Sequence, residues 1–523
     1  MDALPQHITQ NWQVTKPAAT GKRGMVVSQS RDAALAGVAV LDAGGNAVDA
    51  AVATALALAA VEPWNSGLGG IGFALVHRAG AAKAEVVDFG PRAPAGLTAD
   101  RFRLTGHVAS DLFAWPEVEG DANVHGPLSF AVPSSTAGYA HMHGRWGTMP
   151  LSELVAPAAA LARRGLPADW FTTLKVANSA AILRKYEESA RIYLPGGLPP
   201  VAPYQGRPGY LPMGRLADTL DHLARAGLRD FYEGDVARSI VKDVAALGGV
   251  LSAADLRGCA ATIRPCMEVA FAGHTMQLAG GLTASPTAAR VLALMPPWPA
   301  RPDAAWFAAL ARAMRTAYVE RLEGLGDPEL QAGEPKAAES CTTHLTVCDA
   351  AGTMVAMTTT LLSSMGSRVV LPGSGVLMNN GVMWFDPRLG RPNSVGPGKR
   401  PLTNMLPVIV RDESGPVLAG GGSGGRRIMA AVLQVLSFVA GFGMTPEAAA
   451  HHPRIDVSDP DVVHADQRLP ADVLAALEGP VEVVEHGVVP VNFACPNLIA
   501  VKDGVRTGIS DVMSPWSAAV AQA

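Results

Sequence analysis

Two threonines offer the first sign of chemistry. The stretch ESCTTHLTVCDAAGTMVAMTTTLLSSMGS covers residues 339–367. Within it Asp349 and Thr353 bracket Ala350, Ala351 and Gly352, a three-residue hairpin loop with glycine last, where a left-handed conformation is wanted. Setting Asp349 opposite Thr353 places Thr342 opposite Thr360, and a bulge at the loop would move this register by one residue. A threonine that opens a strand, just after a polar link, then faces a second hydroxyl across the ladder. A hydroxyl becomes an acyl-transfer nucleophile when a neighbouring base takes its proton. On spacing alone, two cross-strand threonines on a pleated surface are the ordinary reading.

Glycine runs are the second candidate. Residues 67–72 (GLGGIG) match a dinucleotide pattern but follow a helix and precede a strand, the reverse of the required order. Residues 420–425 (GGGSGG) are better placed, between the strand-like VLAG and the helix-like RRIMAAVLQVL. A dinucleotide site also needs an acidic residue on a second strand roughly 20 positions on. Here that position falls in GFGMTPEAAAHHP, a turn and a helix start, so no nucleotide cofactor is expected. Backbone amides at such a helix start still stabilise an anion, an oxyanion included.

Other chemistries lack their residues. The 13 histidines include no HExxH, and His451–His452 before Pro453 reads as a helix end, so no metal site is expected. No GxSxG elbow is present. Cys259, Cys266, Cys341, Cys348 and Cys495 form neither a disulfide framework nor a CxxC site. With 42 basic against 46 acidic residues the chain has no basic excess for nucleic acid. The 523 residues are 49% hydrophobic and 17% charged, enough for a packed core, and the most apolar early run falls short of a membrane span. No secretory signal is evident at the N-terminus, so a cytoplasmic setting is expected.

The elements that must position these residues follow from periodicity. GMVVSQS (24–30) reads as a strand, then helices over 31–43 and 46–61, the second apolar nearly all round and therefore buried. FALVH (73–77) and AEVVDF (84–89) read as a hairpin. From about 97 to 334 the pattern is largely helical, most clearly at 151–164, 214–226, 234–246 and 303–323. After a polar link at 331–340 the period becomes two, giving strands over 344–349, 354–360, 376–378 and 406–410. A helix over 427–442 and strands over 481–486 and 498–502 complete the chain. Helices outside largely antiparallel strands indicate a layered α/β sandwich.

Four motifs together resemble one family. They are AGGNAVDAAVATALALAAVEP (43–63) with SGLGGIGF (66–73), Thr342–Thr343–His344, NSVGPGKRPLTNMLP (393–407) and GGSGGRR (421–427). The chain is similar, from Gly24 to its end and least between about 100 and 330, to the gamma-glutamyltransferase family of N-terminal-nucleophile (Ntn) hydrolases. The resemblance implies a four-layer αββα sandwich with antiparallel central sheets. It also implies a precursor that cuts itself between Cys341 and Thr342. The large piece, 1–341, and the small piece, 342–523, would stay together as a heterodimer, with a dimer of heterodimers left open. By the same resemblance Thr342 is the nucleophile, Thr360 hydrogen-bonds it, and the N–H groups of Gly424 and Gly425 hold the oxyanion. The freed α-amine of Thr342, with a reference pKa of about 7.7–8.0, would serve as base for its own hydroxyl.

Departures from the family pattern fall in the substrate pocket. MNNGVMWF (378–385) carries Trp384 where a substrate-gripping Asp is expected. Gly90 stands where an Arg is expected, with Arg92 two positions later as a candidate carboxylate partner. Leu362 replaces an Asn, and Thr403–Asn404 replace a pair of serines. Asn380 is a further candidate pocket residue. The short stretch between Phe385 and Asn393 leaves no room for the lid loop that some members carry. These changes imply a small-molecule amide substrate whose acyl group is not γ-glutamyl.

Overall fold

The computed structural model describes residues 14–108, 115–325, 341–489 and 491–523. The link expected over 331–340 lies outside them. Alternation along the strands sets the layers. In the hairpin of Cys341–Cys348 and Met354–Leu362, the side chains of Leu345, Val347, Val355 and Met357 join the core beneath the N-terminal helices. Cys348, Met354 and Ala356 turn the other way, to meet Ile409, Ala419 and Ile499 of a second sheet. A side-chain period of two makes each sheet two-faced, and both faces here are apolar.

One seven-stranded sheet runs Ala518–Ala521, Met25–Ser28, Cys341–Cys348, Met354–Leu362, Ile71–His77, Glu85–Phe89, Thr262–Pro265. The other runs Ala19–Gly21, Val505–Ser510, Cys495–Lys502, Gly415–Ser423, Val408–Asp412, His274–Leu278, Met267–Phe271. Neighbouring strands in both are antiparallel. Helices Ser285–Leu294, Ala304–Gly324 and Arg427–Ala440 cover the outer face of the second sheet, packing on Met276, Val408, Leu418 and Leu498. The result is the αββα sandwich. Among the described residues no helix is long and apolar enough to cross a membrane.

The helix Ala47–Val61 is buried at all 15 positions, as its all-round apolar sequence requires. Asn46 starts it through a capping box: Asn46 Oδ1 accepts from the amides of Val48 and Asp49, and Asp49 Oδ2 accepts from the Asn46 amide. Its C-terminal end delivers residues 62–70 against 361–365, where the Asn65 and Trp64 carbonyls accept from the Leu361 and Met365 amides at 2.8 and 3.0 Å.

Three expectations change. Residues 376–378 form no strand: the segment is a loop in which the Leu371 amide donates to the Val376 carbonyl, with isolated bridges to Val370 and Gly69. The region up to 334 is not helical throughout, because strands Thr262–Pro265, Met267–Phe271 and His274–Leu278 cross it and feed both sheets. Ala272 and Gly273 turn the last pair, both at positive φ, as a two-residue hairpin demands. Finally, the glycine run is not all loop. Gly420 to Ser423 lie within the strand Gly415–Ser423, and only Gly424 and Gly425 turn toward the helix.

Candidate active site

The hairpin around Thr342 holds the register read from its loop. Thr343 pairs with Thr359 and Cys348 with Met354, while Gly352 at the loop takes φ 93°. The shift falls at the far end, between Cys341 and Thr343, so Thr342 is the residue at the irregularity. Its Oγ1 donates to Thr360 Oγ1 at 3.3 Å, and the Leu362 amide donates to that same Thr360 oxygen at 2.8 Å. Leu362 holds φ 87°, a left-handed conformation that a leucine rarely adopts.

Thr342 shares its strand face with His344 and Thr346, between the sheets. There Thr346 Oγ1 donates to Asn497 Oδ1 (2.9 Å), Asn497 Nδ2 to the His344 carbonyl (2.6 Å), and His344 Nδ1 lies 2.8 Å from Thr358 Oγ1. Burial pushes the His344 pKa down to about 3, so the ring is neutral at pH 7. It rests on Gly421, where a Cβ would lie 2.3 Å from the ring.

Gly424 and Gly425 form the turn at φ 130° and 66°. Neither amide donates to another backbone group among the described residues. Gly424 and Thr342 line one small cavity of about 30 Å³, together with Gln29, Glu62, Asn65, Lys175 and Ser423. Behind the turn, the Tyr318 hydroxyl donates to the Arg426 carbonyl from the helix Ala304–Gly324.

A second small space, of about 40 Å³, is lined by Trp384 and Asn404, with Arg321, Arg391, Arg426 and Asp386. Trp384 is 3% exposed and packs with Leu362, Trp115 and Met405, and its indole N–H has no hydrogen-bond partner among the described residues. Arg321 is fully enclosed, donating to the carbonyls of Thr283 and Thr403 and to Asn404 Oδ1, and desolvation lowers its pKa to about 10. Asp386 is held by Arg388 at 2.7 Å. The segment after Phe385 folds back tightly, with the Asp386 amide donating to the Asn393 carbonyl at 2.9 Å.

The other candidates stand apart from these spaces. Thr403 is buried, its hydroxyl donating to the Leu282 carbonyl. Asn380 braces the loop after Thr360: its Nδ2 donates to Ser363 Oγ and the Val124 carbonyl, both at 2.7 Å, and its Oδ1 accepts from the Ser363 amide. Arg92 is exposed and donates to the Gly398 carbonyl at 2.8 Å. The guanidinium that occupies the space at Gly90 is that of Arg400, whose Nη2 lies 2.5 Å from where a Gly90 Cβ would be. With Arg264, Arg400 clasps the buried Asp88. Burial works against that charge, but the two arginines outweigh it and hold the carboxyl below its ordinary value. Arg321 is missed from the sequence alone, although a signal is there: its neighbours three, four and seven residues back are Tyr318, Ala317 and Met314, a buried helix face. Arg400 and Gln29 carry no such local signal. The group of metal-capable residues among those described, His222, Asp230 and Asp235, lines neither space.

Known proteins agree with this architecture. The family model for gamma-glutamyltranspeptidase matches residues 33–341 and 329–520. Glutathione hydrolase proenzyme of Bacillus subtilis (strain 168) is 28% identical over 95% of this chain and 91% of its own length. Acylase ACY 1 proenzyme of Pseudomonas sp. (strain V22) is 30% identical over 88% of this chain and 87% of its own. The crystal structure of cephalosporin acylase from Bacillus halodurans shares the fold, with a TM-score of 0.84 at 23% identity over 100% of this chain and 99% of that one. The chain therefore belongs to the gamma-glutamyltranspeptidase family of Ntn hydrolases, enzymes that act on amide bonds.

Proposed function

We propose that the chain is a self-processing N-terminal-threonine amidohydrolase with Thr342 as nucleophile. The observation that carries this is Thr342 at the strand irregularity, its hydroxyl on Thr360 and its cavity shared with Gly424. In the precursor the Thr342 hydroxyl attacks the Cys341 carbonyl carbon. The peptide C–N bond breaks as an ester forms, and water then frees the Cys341 carboxylate and the Thr342 amine. In the mature enzyme that amine takes the hydroxyl proton as Oγ1 attacks the substrate amide. The N–H groups of Gly424 and Gly425 meet the oxyanion, each worth about 3 kcal/mol in such sites. The leaving amine departs with the proton, and water hydrolyses the acyl ester.

The space beside Trp384 supports a non-glutamyl acyl group. A γ-glutamyl ammonium needs a carboxylate, and Asp386 is already paired with Arg388. A lining with three guanidinium groups against one carboxylate, beside the Trp384 indole N–H, favours an acyl group with a negative or acceptor end, such as an oxamate-type or glutaryl-type amide. We place this activity in the cytoplasm. A second reading, a gamma-glutamyltransferase with a rebuilt pocket, draws on the likeness to glutathione hydrolases.

Denaturing mass spectrometry with N-terminal sequencing tests the assignment. Wild type yields two pieces, one beginning Thr342–Thr343–His344, and Thr342→Ala stays whole. A wild type that never cleaves turns the reading to a non-catalytic scaffold. Turnover of γ-glutamyl-p-nitroanilide, stimulated by glycylglycine, would establish the second reading.

A further inference from the structure

We propose that Gln29 and Glu62 are positioning residues that clamp the Thr342 strand to the turn carrying Gly424 and Gly425. Gln29 directly follows the strand Met25–Ser28 and is 1% exposed. The Gln29 amide fits two orientations: in one its nitrogen donates to Ser423 Oγ and its oxygen accepts from Asn65 Nδ2 at 3.2 Å; in the other, which the clamp uses, its nitrogen donates to the Thr342 carbonyl at 3.2 Å and to Glu62 Oε1 at 3.3 Å, while its oxygen accepts from Ser423 Oγ. One carboxamide thus touches the backbone of the nucleophile residue and the residue just before Gly424. Because both bonds run through a single planar group, they fix the offset between the attacking hydroxyl and the oxyanion amides.

Glu62 holds that carboxamide in place. It ends the buried helix Ala47–Val61, accepts from Asn65 Nδ2 at 2.7 Å through Oε1, and lies beside the Thr343 side chain. The charged or titratable groups that face it are Lys175 from the helix Trp170–Leu183 and the thiol of Cys495 from the second sheet. Burial raises its pKa to about 7, against smaller lowering effects of Thr343, Asn65 and Lys175. Once ionised, Glu62 is the stronger acceptor for Gln29.

This inference rests on Thr342 being the nucleophile, and self-cleavage of the purified precursor reads it before any substrate is known. Gln29→Ala and Glu62→Ala each slow self-cleavage about 10- to 100-fold, and the double variant is no slower than the worse single, as residues acting as one unit behave. Glu62→Gln keeps the acceptor oxygen and returns to within about threefold of wild type, which a merely space-filling role would not require. The wild-type rate rises through about pH 7 and the Glu62→Gln rate does not. The precursor has no free Thr342 amine to titrate there. Should Glu62→Ala fail to fold, Ser423→Ala removes the far end of the clamp and gives the same slowing. Losses that add, a Glu62→Gln variant as slow as Glu62→Ala, or an unchanged rate in Gln29→Ala overturn the clamp. A wild type that never cleaves defeats the nucleophile reading and the clamp together. A cleaving wild type with unaffected variants defeats the clamp alone.

Discussion

The Thr342 hydroxyl and the Thr360 hydroxyl lie 3.3 Å apart, and the Thr360 oxygen is pinned from its other side by the Leu362 amide at 2.8 Å. That amide can reach back because Leu362 adopts φ 87°. A left-handed leucine is strained by about 1 kcal/mol or more, and fully burying its side chain beside Trp384 offsets this.

Thr360→Val keeps the shape of the side chain and removes the acceptor for Thr342. A hydrogen bond of about 1 kcal/mol is lost, so self-cleavage slows roughly fivefold to tenfold. A time course of fragment appearance on denaturing gels reads this directly, with Thr342→Ala as the zero-rate reference.

On the proposed reading, Trp384 sets the choice of acyl group. Trp384→Phe removes the indole N–H along with part of the ring that packs on Leu362 and Met405, and lowers kcat/KM for a dicarboxylic monoanilide about fivefold. Trp384→Asp supplies a carboxylate for an α-ammonium and raises kcat/KM for γ-glutamyl-p-nitroanilide by roughly 10- to 100-fold, the worth of about 1.5–3 kcal/mol. Steady-state assays of both variants on both anilides decide it.

Arg400 is structural. Arg400→Ala leaves the buried Asp88 with Arg264 alone and costs about 3 kcal/mol. Gly90→Arg also destabilises, by about 1–3 kcal/mol, because its Cβ would meet the Phe73 ring at 2.4 Å and Arg400 Nη2 at 2.5 Å. Urea unfolding in a Thr342→Ala background, where the chain stays whole, measures both.

His344 and Glu62 pull stability in opposite directions with pH. The His344 pKa falls from 6.5 to about 3 on folding, so the stability it gives is complete above pH 6.5 and lost as pH falls toward 3. The Glu62 pKa rises from 4.5 to about 7, so its contribution is complete below pH 4.5 and lost as pH rises to 7. A His344→Gln variant therefore flattens the acid limb, most clearly below pH 4.5, where the wild type loses up to about 1.4 kcal/mol per pH unit through this group. Glu62→Gln flattens the change between pH 4.5 and 7. Urea midpoints across pH 3–8 in the uncut background check both signs.

The strand hairpin, its register, the buried helix after Asn46 and the layered sandwich were legible because each rests on local periodicity or turn chemistry. The same cues lay in ATIRPCMEVAFAGHTMQL, yet short strands among helices and prolines hid them. Thr342, Gly424 and Trp384 are named through the family resemblance of the motifs around them, which spacing alone does not supply. Gln29, Glu62 and Arg400 are not. Each acts across hundreds of residues, on Ser423, Thr343 and Asp88 respectively, and only packing reveals such a partner. Arg92 illustrates the reverse: proximity in sequence to Gly90 put it in view, while the structure turns it to solvent.

Both sheets interleave strands from the two sides of the Cys341–Thr342 bond. Cys341–Cys348 and Met354–Leu362 lie between Met25–Ser28 and Ile71–His77, and Val408–Asp412 lies against His274–Leu278. Neither piece carries either seven-stranded sheet complete. The uncut chain reaches this arrangement by a unimolecular route, with every strand on one tether. After the cut, pieces that come apart must find each other from solution with bare strand edges exposed, where self-association competes. Under the proposed cleavage, maturation would act as a ratchet: the assembled enzyme would persist by the slowness of its opening rather than by ready refolding, and its working lifetime would be a rate, not an equilibrium.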